Sequence, residues 1–470
     1  MENFYDNLER YDEQVAIITP QQENISYKML VKEADELVLL AMPRKVAFLI
    51  CSNTLEAVEA YIGFLRKRIV PVLINEAVDD DLLSNLFKLY EPAYVYGAKE
   101  KMDSLAILKG ATVLTKNRNY MLLQRNEVPD YSLHDDLALL LTTSGSTGSP
   151  KLVRQSYQNI TANANSIVDY LGIISNDIAI MTLPMSYTYG LSIINSHLLQ
   201  GATIIMNDYT LMNKEFWLLF KEEKATTFGG VPYIYDMLKK LRFGRMDLPS
   251  LRYMTQAGGK LSKEMAEEFN AICKEKEIKL IIMYGQTEAT ARMSYLPWES
   301  AEEKAGSMGI AIPGGRFELW DVNEQAIEEP DVVGELVYYG PNVTLGYAEQ
   351  YQDLSKGDER GGKLITGDMA KRDEDGFYYI VGRKKRFLKI FGNRVNLDEV
   401  EGLLRREGFD CVCDGKDDEM KIYNTKEGQA ADILSFVTKT THLSKTAFEV
   451  VQIDEIPRNE AGKILYSKLG

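Results

Sequence analysis

Residues 45–50, Lys-Val-Ala-Phe-Leu-Ile, form an apolar run of the length and type that suits a buried strand. Apolar positions at helical spacing follow over residues 54–66, and a second apolar run, Val70-Pro71-Val72-Leu73-Ile74, comes next. The same rhythm returns at 177–181, at 197–201 and 202–206, and at 279–283. It predicts an α/β protein with parallel, doubly wound sheets covered by helices. From about residue 306 to 379 the texture changes. Short β-rich segments at 316–320, 334–339 and 377–381 are separated by Gly, Pro and Asp turns, the pattern of an antiparallel or β-barrel-like subdomain. Gly382-Arg383-Lys384-Lys385-Arg386 then opens a small α+β unit, in which Asn396 and Glu399 have the spacing of a capping box before a helix to about residue 406. The expected division is a large domain over 1–384 and a small one over 385–470.

At 470 residues the chain is too long for one core. Lys plus Arg number 54 against 69 Asp plus Glu, a net charge of −15 that argues against nucleic acid or an anionic membrane as partner. Residues 178–207 carry no formal charge, yet Pro184, Gly190, Gly201 and His197 interrupt them, which favours a buried strand–loop–helix passage over a membrane span. The start, Met-Glu-Asn-Phe-Tyr-Asp, lacks the basic and apolar parts of an export signal, so the expected location is cytoplasmic. Cys51, Cys273, Cys411 and Cys413 make no disulfide framework, and alternation on a strand accounts for Cys411 and Cys413 better than half a metal site. The histidines at 134, 197 and 442 are scattered and form no metal cluster in sequence.

Four segments carry candidate chemistry. The apolar run 139–141 leads into Thr142-Thr143-Ser144-Gly145-Ser146-Thr147-Gly148-Ser149-Pro150-Lys151. Glycines let backbone N–H groups converge and hydroxyls add donors, so the loop can wrap polyphosphate; a flexible hairpin is the alternative. It lacks the Gly-Lys-Ser/Thr ending of a Walker A loop, and Leu152-Val153 points to a following strand. Tyr284-Gly285-Gln286-Thr287-Glu288 comes after an apolar strand, where open sheets bind ligands. Tyr284 can stack on a base, Thr287 can donate to phosphate and Glu288 can hold Mg²⁺; a solvated turn is the alternative. In Thr366-Gly367-Asp368 the carboxylate can accept both ribose hydroxyls, with Arg383 beside ribose or phosphate. In Pro457-Arg458-Asn459-Glu460-Ala461-Gly462-Lys463 a turn can present an ammonium where carboxylate and phosphate meet. Read alone, Asp368 and Lys463 are ordinary turn and surface residues.

Their order changes this. The phosphate loop, Tyr-Gly-Gln-Thr-Glu, Thr-Gly-Asp, Gly-Arg-Lys-Lys and Pro-Arg-Asn-Glu-Ala-Gly-Lys together resemble the adenylate-forming superfamily of acyl-CoA synthetases, adenylation domains and luciferases, over nearly the whole chain. The resemblance implies activation of a small carboxylic acid as acyl-AMP and transfer to a thiol: CoA, or the phosphopantetheine arm of an acyl carrier protein. A non-catalytic nucleotide binder is the remaining reading. Ser144, Gly145, Ser146, Thr147, Gly148 and Lys151 would hold the ATP phosphates. Gly258, Gly259 and Tyr284, with Gly285 and Gln286, would flank the adenine. Thr287 would meet phosphate, Glu288 would bind Mg²⁺ and Asp368 would bind ribose. Lys385 matches the hinge, Lys463 the residue that serves adenylation. After a domain rotation, Gly392 would mark the thiol entrance, where Lys389 and Arg394 can receive the phosphates of CoA, within a basic run that also includes Lys384 and Arg386. The acyl pocket would be lined by Tyr187, Gly229, Gly230 and Val231. Amino-acid-activating relatives usually place Asp where Tyr187 stands, so an α-amino acid is disfavoured. Lys363 stands where the family often has Trp, and Leu397 where a proline is common. The span 385–470 is short for the family's small domain, which leaves the acyl acceptor open.

Overall fold

The structure is a computed structural model that describes residues 3–142, 151–391, 393–441, 443–458 and 464–469. The chain forms two compact units, Met1–Arg316 with Tyr339–Leu364, and Phe317–Tyr338 with Ile365–Gly470.

The first unit is built on two large sheets. In one, the parallel strands run in the order Lys279–Tyr284, Tyr253–Gln256, Thr227–Gly230, Ile178–Ile180, Thr203–Ile205, Val15–Ile18. Antiparallel strands extend it on both edges, giving nine. In the other, eight-stranded sheet, Leu137–Thr142, Val70–Asn75, Val46–Cys51 and Tyr94–Ala98 are parallel neighbours. Val46–Cys51 is buried along its whole length because helices cover both faces, which is why it reads as a continuous apolar run rather than an alternating one. The intervening helices start at polar caps. Thr54 accepts from the Ala57 N–H, Ser262 from the Met265 N–H, and Ser156 and Asn159 cap each other reciprocally.

Helix Thr188–Gln200 accounts for the uncharged stretch. It is buried through most of its length, and its Ser, Asn and His side chains bond within the fold. Residues 197–201 are therefore the helix's last turn, closed by Gly201 at φ +74°, before strand Thr203–Ile205. Among the described residues no helix is long and apolar enough to cross a membrane.

The second unit opens with a four-stranded sheet ordered Arg316–Trp320, Gly334–Tyr339, Lys363–Arg372, Tyr378–Arg383. The barrel-like expectation resolves as this open sheet, since the first and last strands do not pair and four strands are too few to close. Next come the hairpin Phe387–Ile390 and Asn393–Asn396, helix Leu397–Arg406, and a three-stranded sheet of Cys411–Lys416, Glu419–Asn424 and Phe448–Gln452 covered by Ala430–Thr441. All four cysteines are free and buried. Burial pushes the thiols up, to about 12 at Cys273 and about 11 at Cys411, with Cys51 and Cys413 also raised.

Candidate active site

Gly230 pairs in register with Gln256 and Gln256 with Ile282, so the chain leaves three neighbouring parallel strands side by side at their carboxyl ends. That edge is where open α/β sheets take ligands. Gly258 lies in the left-handed region at φ +80°, and a Cβ there would sit 2.6 Å from Tyr187 Oη and 3.0 Å from Val231 Cγ1. Tyr187, Val231 and Gly258 thus converge. Gly259 lies against Pro232, where a Cβ would be 3.1 Å from its ring. Gly229 has no room for a side chain either, since a Cβ would stand 2.9 Å from Tyr189 Oη; at Gly230 it would stand 2.7 Å from Ile234. Tyr187 is half-buried, and burial holds its phenol well above the usual range, so it is a neutral group. The adjoining Tyr189 bonds Thr255 at 2.9 Å, and the guanidinium of buried Arg292 lies 4.2 Å over its ring.

The segment after Lys279–Tyr284 turns back at once. Gly285 is required there, because a Cβ would meet the Ala291 carbonyl oxygen at 1.8 Å. Gln286 Nε2 donates to Tyr284 Oη at 3.1 Å, and Thr287 is buried at the head of the short turn Thr287–Ala289. Glu288 Oε1 accepts from the Tyr347 hydroxyl at 2.6 Å, and its main-chain oxygen accepts from Thr344 and Arg360.

Strand Leu137–Thr142 runs antiparallel to Leu152–Ser156, with Thr142 opposite Leu152, so the hydroxyl-rich segment joins two adjacent strands. Ser144, Gly145, Ser146, Thr147 and Gly148 lie outside the described residues, as do Gly392 and Lys463. Lys151 is described, and its ammonium pairs with Glu349 at 2.5 Å. Strand Gly346–Ala348 pairs with Leu152–Ser156. One short segment, 344–349, therefore carries partners of both Lys151 and Glu288.

In the second unit, Asp368 and Arg383 are cross-strand partners, with Arg383 Nε 3.2 Å from Asp368 Oδ1. Asp368 is buried and Arg383 exposed. Gly367 adopts φ +71° with open space where a side chain would be. Lys385 lies in the turn Lys384–Arg386, and the backbones of Lys389 and Arg394 are partners in the register of the hairpin. Two members of the basic run are engaged internally: Lys384 pairs with Glu335 at 2.7 Å, and Arg386 with Asp398 at 2.8 Å and Glu401 at 2.5 Å.

Sequence reasoning missed Tyr347, Glu349, Arg154 and Arg292. Arg154 had a signal, as a cation inside the apolar strand that follows the phosphate loop. It is wholly buried, donates to the Leu345, Tyr347, Lys356 and Gly357 carbonyls, and pairs with Glu359. Tyr347 and Glu349 gave none, because their role depends on a contact between distant parts of the chain.

The family described as AMP-binding enzyme matches residues 4–348. The chain belongs to that family. The family is adenylate-forming, and the resemblance read from the ordered motifs holds. Among its relatives, the 2-succinylbenzoate–CoA ligase of Geobacillus sp. (strain WCH70) is 28% identical over 460 residues, 93% of this chain and 88% of the relative. Peroxisomal OPC-8:0-CoA ligase 1 of Arabidopsis thaliana is 30% identical over 391 residues, 79% of this chain and 70% of its own. The structure of O-succinylbenzoate coenzyme A synthetase (MenE) from Bacillus subtilis in complex with AMP matches with a TM-score of 0.80 at 22% identity, covering 100% of this chain and 98% of that one. At that identity the likeness fixes the fold, an α/β architecture with large sheets and a small sheet-bearing C-terminal part.

Proposed function

We propose that this enzyme is an AMP-forming acid–thiol ligase that activates a small carboxylic acid with ATP and passes the acyl group to CoA. The observation that carries the reading is the likeness to a named acid–CoA ligase over 93% of this chain and 88% of that protein. Both curated relatives described above are named as CoA ligases, which favours CoA over a carrier protein as acceptor.

The residues fit the roles. Glu288 offers a carboxylate that has one phenol donor and, among the described residues, no cationic partner. That suits Mg²⁺, which takes one or two protein carboxylates and fills its shell from phosphate and water. Bound there, the ion would neutralise charge on the phosphates. Thr287 and the loop 144–151 would take phosphate, Asp368 the ribose hydroxyls with Arg383 beside it, and Tyr284, Gly258 and Gly259 the adenine. Lys463 would bridge the substrate carboxylate and the α-phosphate. Lys385 would be the hinge between 1–384 and 385–470. Tyr187 brings no negative charge to the converging strand ends, which supports an acid without an α-ammonium group. Lys389 and Arg394 would receive the CoA phosphates, with Gly392 at the thiol entrance; Lys384 and Arg386 pair within the fold.

Pyrophosphate release measured across a panel of acids tests the first step. The expected result is acid-dependent release followed by AMP release that requires CoA. Absence of release with every acid would overturn the adenylation reading. AMP release with a phosphopantetheinylated carrier and none with CoA would overturn the acceptor alone.

A further inference from the structure

We propose that Tyr347 is a positioning residue that fixes the Glu288 carboxylate for a divalent cation; this rests on the reading of Glu288 as the metal ligand. The phenol donates to one carboxylate oxygen at 2.6 Å and leaves the other open. The ring is itself held, with the Arg360 guanidinium 4.8 Å over its face. Arg360 also donates to the Glu288 main-chain oxygen at 3.0 Å, and Thr344 adds an N–H at 3.0 Å and a hydroxyl at 2.9 Å. Both ends of Glu288 are thereby tied to residues 344–360. That stretch is pinned in turn by Arg154, whose guanidinium has no exposed surface and donates to four of its carbonyls.

A carboxylate on a short turn has several rotamers, and only some face a metal. Selecting one before the ion arrives removes an ordering cost from binding, which is why loss of such outer partners weakens metal sites about 10–100-fold. Tyr347→Phe keeps the ring and its cation contact while removing the donor.

Calorimetric titration of ATP with and without Mn²⁺ gives the gain in nucleotide affinity that the metal supplies, with no turnover involved. In Tyr347→Phe that gain should shrink about 10–100-fold, while metal-free ATP affinity and melting temperature stay at wild-type values. Glu288→Gln should abolish the gain. If Glu288→Gln loses the gain and Tyr347→Phe keeps it in full, the inference about Tyr347 is wrong and the metal assignment stands. If Glu288→Gln keeps the gain, the metal assignment itself fails. A Tyr347→Phe that loses metal-free affinity or melting temperature to the same degree would show a structural role and overturn the proposal.

Discussion

Gly258 shows how a single missing side chain shapes the site. At φ +80° an L-residue is strained by about 1–2 kcal/mol. An alanine methyl would also press on Tyr187 Oη at 2.6 Å and on Val231 Cγ1 at 3.0 Å. Gly258→Ala should therefore lower the urea midpoint by an amount equivalent to about 1–2 kcal/mol and, on the proposed assignment of Tyr187 to the acyl pocket, raise the Michaelis constant for the acid, because Tyr187 has to move. A variant with wild-type midpoint and wild-type constant would show that the convergence does not shape the pocket. At this scale the sequence was informative where a residue's chemistry is unusual in its own setting. The run Tyr284-Gly285-Gln286-Thr287-Glu288 stood out, and Asp368 with Arg383 proved to be cross-strand partners. Gly258 and Gly259 were legible only through family resemblance, since a glycine pair has no signature apart from the side chains it must avoid.

Among the elements, helix Thr188–Gln200 links burial to pH. His197 is buried, with Nδ1 donating to the Ile193 carbonyl at 2.8 Å and Nε2 3.3 Å from the Tyr253 hydroxyl. Desolvation is the main cause that lowers its pKa from 6.5 to about 4, against the attraction of Asp177; Arg292 lowers it further. The folded state therefore holds the neutral ring. Above about pH 6.5 neither state binds the proton and stability is complete. As pH falls from there towards about 4, only the unfolded chain protonates, and about 3 kcal/mol is lost. Urea titrations between those limits should show this slope in wild type and a flatter one in His197→Gln; equal slopes would remove His197 as the cause. The helix was legible as an interrupted, uncharged stretch. Its end was not, because Ala202 and the residues after it continue the apolar run, and only Gly201 at φ +74° marks the boundary. Strand Val46–Cys51 and the helix capped by Thr54 were read almost to the residue, since an apolar run and a polar cap are local signals.

For the whole molecule, the ordered motifs spoke more clearly than any element. They run from the first sheets to the C-terminal segment, and the family match over 4–348 spans the first two of them, the loop before Lys151 and Tyr284–Glu288. The resemblance implies that Lys463 serves adenylation and then leaves. Charge grows on the α-phosphate as the carboxylate attacks, so removing a positioned ammonium should cost about 10²–10³-fold in that step. In single-turnover assays Lys463→Ala should show that loss, with thioester formation from supplied acyl-adenylate largely spared. Equal losses in both steps would contradict two working orientations. Sequence could not reveal that segment 344–349 holds Lys151 and Glu288 together, because that contact exists only after distant strands pair.

An acyl-adenylate is a reactive mixed anhydride, and any thiolate within reach can intercept it. This protein carries four cysteines, every one of them buried and with its thiol pushed upward by the apolar surroundings. Near neutral pH they present almost no thiolate. The activated acid accordingly meets no competing sulfur from the protein's own chain, and self-acylation is suppressed without a dedicated shield. An incoming thiol then has the mixed anhydride to itself.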